Sequence, residues 1–227
     1  MLPLRPITTT MSALPRGRVL DLNAITLLVC RDSGYASPVL TDTIYRRAAP
    51  ADFPQILALQ AQNLRWNLDE SQQQQGYLSV EYRAEDLAAI NDGLGIYVAL
   101  EGNRLIAYAM AETKEFACGV PLIACMASRF PCLTFQDQPL TSLRYFIYGP
   151  VCIDRDARGS GLLNGLLTAI SVALSAHFDL GIAFIAHGNV HSFQAHIRKN
   201  SMTVMDEFEF DGRDFWTVAF RLADRVE

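Results

Sequence analysis

The sequence has few basic residues, no long apolar run and no closely spaced cysteine pair. Its 19 lysines and arginines are outnumbered by 24 acids, and the formal net charge is −5. This balance excludes a nucleic-acid-binding protein that relies on a broad basic surface. No apolar run reaches the roughly 18 residues of a membrane-spanning helix, so we expect no membrane partner. The five cysteines form no CxxC pair, which favours reduced thiols and a cytoplasmic location.

The chain has enough apolar residues for one domain with a sizeable core. Half of its 227 residues are hydrophobic, which excludes wholesale disorder. Residues 1–42 differ from the rest, with four prolines and no sustained hydrophobic period. We interpret them as a poorly ordered extension, although an organellar transit peptide or an upstream start codon is an alternative origin. We expect residues 43–222 to form the domain and residues 223–227 a short tail.

Alternating and helical patterns along residues 43–222 predict a mixed α/β domain. The pattern Gly149-Pro150 inside a strand predicts a bulge or an edge, because proline lacks the N–H that a ladder needs. Residues 117–132 resemble a helix but contain two prolines. The predicted strands cover residues 43–48, 95–100, 104–111, 145–153, 182–186, 203–210 and 214–221, and the predicted helices cover 52–64, 80–91, 161–177 and 192–199.

A glycine-rich turn at residues 154–161 joins a strand to a helix. Gly159 and Gly161 allow backbone N–H groups to approach an anion, the positive end of the helix dipole points to the same place, and Arg158 adds a cation. This combination suits a pyrophosphate. A P-loop would need Lys and Ser or Thr after Gly161, where Leu162 stands, and a dinucleotide fingerprint would need glycine at Asn164.

The turn resembles the acyl-CoA-binding motif of the GNAT acetyltransferases. That motif follows a strand such as Val151-Cys152-Ile153 and reads Gln/Arg-x-x-Gly-x-Gly/Ala, which matches residues 156–161 except at Asp156. Asn189 and Ser192 resemble the family's Asn-x-x-Ser signature. The resemblance covers about residues 43–222 and implies the GNAT fold: a central mixed, twisted sheet of about seven strands that splays between strands 4 and 5, with about four flanking helices.

The resemblance also implies where acetyl-CoA, the expected cosubstrate, lies. Backbone groups of Val151, Cys152 and Ile153 would hold the pantetheine arm, and Asn189 and Ser192 would contact it from the other side. The pyrophosphate would lie on the backbone N–H groups of the glycine turn, which are those of Arg158, Gly159, Ser160, Gly161 and Leu162.

Three side chains are candidate catalytic residues. The family often has a tyrosine proton donor four residues after the position of Ser192, and His196 stands there. A histidine could protonate the departing thiolate, and Tyr148 is the alternative donor. Glu112, at the end of the third strand, is a candidate base, although water alone could accept the proton of the amine.

The resemblance implies an N-acetyltransferase whose acceptor is a primary amine of a small molecule or peptide. The alternative is a GNAT-fold module that binds CoA, or regulates, without turnover. His187, His191 and His196 lack an acid or cysteine at a familiar metal-ligand spacing, so we expect no metal. The final hairpin could pair with that of a second copy and so form a homodimer.

Overall fold

The structure, a computed structural model, describes residues 27–28 and 43–222. The predictions for the extension and the tail otherwise lie outside the described residues. The strands are β1 Leu27–Leu28, β2 Thr43–Arg47, β3 Gly95–Glu101, β4 Arg104–Glu112, β5 Thr134–Phe135, β6 Gln138–Pro139, β7 Tyr145–Ile153, β8 Leu180–Ala186, β9 Thr203–Phe210 and β10 Arg213–Arg221. The seven predicted strands are therefore present.

Eight of these strands form one sheet in the order β1-β2-β3-β4-β7-β8-β10-β9. All neighbours in the sheet are antiparallel except β7 and β8, which are parallel. The two-residue strand β1 adds an edge that the sequence patterns did not predict. The short hairpin of β5 and β6 was also not predicted and forms a separate two-stranded sheet.

The described residues form seven α-helices. They are α1 Phe53–Ala61, α2 Glu70–Gln73, α3 Ala84–Asp92, α4 Lys114–Ala117, α5 Pro121–Ser128, α6 Leu162–Leu174 and α7 Val190–Asn200. The four predicted helices correspond to α1, α3, α6 and α7. The expected single helix over 117–132 is wrong, because the chain turns at Gly119 before α5 and forms a 3-10 turn with Pro131 after it.

Helices cover both faces of the sheet because its strand residues alternate between two apolar clusters. On one face, α6 buries Leu166 and Ile170 against residues such as Ala99. On the other face, α1 and α3 pack against β3 and β4, as Val98 illustrates. The segment that contains α5 packs its Met126 with apolar residues of β7 to β10 in a third cluster.

Strands β7 and β8 part after a short paired stretch, as the resemblance predicts. Only Tyr145, Phe146 and Ile147 of β7 pair with β8. Beyond them lies Gly149-Pro150, where the register of β7 against β4 also shifts. Proline has no N–H to donate, and a bulge bends its strand. The predicted bulge is thus confirmed, and it stands where the sheet opens.

Candidate functional site

A cleft of about 240 Å³, here called the outer cleft, opens where β7 and β8 part. Its walls are the end of β7, the glycine turn, the start of α6, one side of α7 and residues 75–78. The predicted site residues that line it are Val151, Cys152, Ile153, Arg158, Gly159, Gly161, Leu162, Asn189, Ser192 and His196.

The glycine turn and the first residues of α6 line the outer cleft. Gly159 has φ +80° and Gly161 has φ +89°, a left-handed conformation that suits glycine and strains other residues. Gly161 is the N-cap of α6. The first N–H groups of a helix have no acceptor within the helix, and the helix dipole makes this end positive. The turn can therefore bind an anion without any side chain.

The edge of β7 that faces the cleft carries open backbone groups. The N–H of Asp154 donates to Ile106 O of β4 at 2.8 Å, and Cys152 lies opposite Tyr108 of β4. Because backbone groups alternate sides along a strand, those of Val151 and Ile153 face the gap. Ile153 O accepts there from Nε of Arg158 at 3.3 Å. The Cys152 side chain instead is buried on the α1 side.

The outer cleft is lined by cations although the whole chain is acidic. Arg158, His191 and Lys199 line it, and no carboxylate does among the described residues. Burial lowers the pKa of Arg158. Burial also lowers the pKa of His191, and the charges of Arg158 and Lys199 lower it further. The cleft is thus suited to a ligand with several negative charges.

A second cavity of about 90 Å³, here called the inner cavity, adjoins the outer cleft through the gap in the sheet. Tyr77, Leu78, Val151, Asn189, Ser192 and His196 line both. The bulge at Gly149-Pro150 and Ile123 of α5 complete its wall. Two aromatic side chains, Tyr77 and Tyr82, also line it.

Tyr148 and His196 meet at the inner cavity. The Tyr148 hydroxyl is 3.4 Å from His196 Nε2, and His196 Nδ1 is 2.8 Å from Ser192 O. A carbonyl oxygen only accepts, so Nδ1 carries a proton and Nε2 of the neutral ring can accept one from Tyr148. His196 is 7% exposed. The two predicted proton donors therefore form one hydrogen-bonded pair.

Glu112 lies behind the inner cavity and lines neither space. Although Glu112 ends β4, it is only 1% exposed. Its Oε1 accepts from the Tyr82 hydroxyl at 2.7 Å, and Tyr82 lines the inner cavity. Burial raises the pKa of Glu112 to about 8, despite the opposing effect of the Tyr82 hydrogen bond. The Tyr82 hydroxyl therefore lies between the Glu112 carboxyl and the inner cavity, on a path by which the two could exchange a proton.

Three predicted cosubstrate ligands have bonds within the protein. Asn189 caps α7 through the Ser192 N–H at 3.3 Å, and its Nδ2 donates to Tyr77 O at 3.1 Å. Ser192 Oγ is 3.3 Å from His196 Nδ1. Ser160 does not line either cavity, and its hydroxyl donates to Ala157 O at 2.6 Å. The Asn189 and Ser192 side chains therefore shape the site as well as lining it, whereas the Ser160 side chain only stabilises the turn.

Sequence reasoning missed several lining residues. Ile123 comes from a segment whose packing has no local signature. Lys199 and His191 lie on one side of α7. They line the same cleft as the glycine turn, and this proximity depends on how α7 packs in the fold. Their positions on the same helix as Ser192 and His196 were the one available signal, since helical positions three to four apart share a face.

Two negative findings apply to the described residues. Residues 43–222 contain no group of three or more His, Cys, Asp or Glu side chains that could hold a metal ion. Within the same part of the chain, no helix has the length and apolar character to cross a membrane.

No protein-family model and no curated protein matches the sequence, but solved structures resemble its fold. A polyamine N-acetyltransferase from Drosophila melanogaster has a TM-score of 0.57 at 14% identity, over 79% of this chain and 100% of its own. A putative acetyltransferase from Salmonella typhimurium with its cofactor acetyl-CoA scores 0.52 at 16% identity, over 79% and 94%.

A ribosomal-protein-alanine N-acetyltransferase from Brucella melitensis scores 0.51 at 19% identity, over 78% of this chain and 98% of its own. All three comparisons span nearly the whole of the other protein at low identity. Together with the parted parallel strands and the glycine turn at α6, they establish the architecture. The chain has the fold of the GNAT acetyltransferases.

Proposed function

We propose that the protein transfers an acetyl group from acetyl-CoA to a primary amine of a small molecule or peptide. The observation that carries this proposal is the outer cleft: a two-glycine helix start, the two cations Arg158 and Lys199, and no carboxylate among its described lining residues. A pyrophosphate matches the amides of the turn and the first turn of α6. The pantetheine arm matches the open edge of Val151 and Ile153, as an added strand would.

The reactive groups would meet at the gap between β7 and β8. The amine nitrogen bonds to the acetyl carbon, the C–S bond breaks, and its electron pair goes to sulfur. The sulfur takes its proton from the Tyr148 hydroxyl or, when the ring also carries a proton at Nε2, from His196; both side chains line the cavity on the inner side of the gap. Asn189 and Ser192 hold the start of α7, and so position His196, while they face the pantetheine arm.

The amine must lose a proton during the reaction. Water in the inner cavity is one acceptor, and Glu112 is the other. Tyr82 provides the path to Glu112, because it lines the cavity and its hydroxyl already donates to that carboxylate. A carboxyl whose pKa is raised to about 8 exchanges protons near neutral pH.

Thiol release in the presence of acetyl-CoA and a panel of amines tests the proposal. We expect one equivalent of free CoA for each acetylated amine that mass spectrometry detects. The panel should contain polyamines, arylalkylamines, amino acids and peptides with free N-termini. Tight acetyl-CoA binding without thiol release for any amine would instead support a binding or regulatory module.

A further inference from the structure

Arg158 bonds to two different walls of the outer cleft. Its Nε donates to Ile153 O of β7, as described above, and its NH2 nitrogen donates to Asn63 Oδ1 at 2.8 Å. Its NH1 nitrogen donates to Gln75 O. All three acceptors are neutral, and no carboxylate among residues 43–222 forms an ion pair with this half-buried guanidinium. Its hydrogen bonds therefore connect β7 to the chain on the other side of the cleft.

The segment that Arg158 contacts is a closed loop. Leu78 N–H donates to Asn63 O at 2.8 Å, and Arg65 N–H donates to Leu78 O at 3.0 Å. These bonds join the two ends of residues 64–77. Asn63 itself is buried, and its Nδ2 donates to Leu59 O of α1 at 2.8 Å. Asn63, at the start of the loop, is thus bonded to α1. Arg158 binds the chain at this residue and again at Gln75, near the end of the loop.

Residues 75–82, which include the end of the loop and the chain that follows it, are here called the roof segment. Gln75 and Gly76 line the outer cleft, Tyr77 and Leu78 line both spaces, and Tyr82 lines the inner cavity. The Asn189 amide holds its middle through Tyr77 O. The roof segment therefore extends from the cosubstrate turn to the proposed amine site, and Arg158 holds the end nearest the turn.

We propose that Arg158 is a positioning residue for amine binding, because it fixes the roof segment over both cavities. The inference deepens the proposed function and rests on it. The planar guanidinium reaches Gln75 O and Asn63 Oδ1 at once, whereas a lysine ammonium offers the same charge without that fork. Replacing Arg158 by lysine should therefore keep the positive charge at the turn and weaken the attachment of the roof segment.

The test is Arg158→Lys, compared with Arg155→Lys on the same turn. Arg155 is exposed and lines neither cavity, so it controls for the loss of a guanidinium. We expect Arg158→Lys to raise the KM for the amine about 10-fold, the effect of one or two lost hydrogen bonds. The Kd for acetyl-CoA should stay within about 3-fold of wild type because the positive charge remains. Arg155→Lys should change neither constant.

Hydrogen–deuterium exchange of the protein without substrates gives a readout that does not depend on activity. Amides of residues 64–82 should exchange about 10-fold faster in Arg158→Lys than in wild type, while those of β3 and β4 stay protected. Asn63→Ala removes one acceptor of the same attachment. The double variant should raise the amine KM by less than the product of the two single effects, because the residues act through one contact.

Two results would overturn the inference. One is unchanged exchange of residues 64–82 in Arg158→Lys. The other is an effect confined to the acetyl-CoA Kd, which would make Arg158 a cosubstrate ligand only. Failure of the proposed function looks different, because wild-type protein would then neither bind acetyl-CoA nor release its thiol. In that case exchange would still report whether Arg158 holds the roof segment.

Discussion

At the residue scale, the side chains at the inner cavity are the part of the site that the sequence predicted least completely. The motif spacing suggested His196, and Tyr148 was an alternative donor. Their mutual distance of 3.4 Å depends on how α7 packs beside β7, which no local pattern specifies. The same holds for Glu112, which sequence position marked as a candidate base but whose burial and bond to the Tyr82 hydroxyl depend on the fold.

His196→Phe tests the proton donor. The substitution removes the ring from the chemistry and leaves the pyrophosphate site on the glycine turn in place, so acetyl-CoA affinity should stay near wild type. We expect kcat to fall by about 10²–10⁴-fold, the usual contribution of a positioned general acid. His177→Phe is the matched control, because His177 is exposed and lines neither cavity. A wild-type kcat in His196→Phe at saturation would make the histidine structural and leave water or Tyr148 as the donor.

Glu112→Gln tests the buried carboxyl through the pH dependence of stability. Below its ordinary pKa of 4.5, Glu112 is protonated in both folded and unfolded chains. Between that pH and about 8, the unfolded chain releases the proton and the folded chain retains it, so stability falls as pH rises. Glutamine keeps an acceptor for Tyr82 but does not ionise.

The free energy of unfolding of Glu112→Gln, relative to wild type, should therefore increase by up to about 4 kcal/mol between pH 5 and pH 8. Urea unfolding at several pH values measures this difference, and other titrating groups cancel between the two proteins. A difference that is constant with pH would mean that the Glu112 carboxyl is not held protonated in the folded state.

At the element scale, local patterns predicted those elements whose hydrophobic period is complete. The bounds of β7 and β9 agree with the sequence patterns, and Gly161 was correctly assigned to the start of α6. The hairpin of β5 and β6 was missed because its strands have two residues each, too few to show alternation. The helical pattern over 117–132 did not reveal how the chain turns at Gly119.

Gly161→Val tests the turn as an anion site. Valine at φ +89° is strained, and its side chain would stand where an anion approaches the amides of α6. We expect acetyl-CoA affinity to fall at least about 100-fold. Gly212→Val is the control, because Gly212 has φ +66° in the β9–β10 turn with open space around it. It should lower stability by a similar amount and leave affinity unchanged, and equal loss of affinity in both variants would contradict the assignment.

At the scale of the whole molecule, the acidic chain places two cations, Arg158 and Lys199, at a cleft that no described carboxylate lines. Of the N-terminal extension the structure describes β1, whose Leu27 and Leu28 pair with β2. Such an edge of two residues adds little to a sheet whose other seven strands pair within the domain. The domain boundary at residue 43 remains a prediction.

Deletion of residues 1–42 tests that boundary. Loss of a two-residue pairing should cost about 1 kcal/mol, which lowers the Tm by about 2–4 °C for a chain of this size. Acetyl-CoA affinity should not change, because the described residues that line the outer cleft begin at Asn63. Differential scanning calorimetry of both proteins measures the shift. A fall of more than about 10 °C would show that the extension is part of the folded core.

Isothermal titration of the full-length protein with acetyl-CoA is the most direct test of the central claim, which is that the outer cleft holds an acyl-CoA. The account predicts saturable binding of one acetyl-CoA per chain, with an affinity that weakens as salt rises because the cations Arg158 and Lys199 line the cleft. The absence of a binding signal at millimolar acetyl-CoA would contradict it.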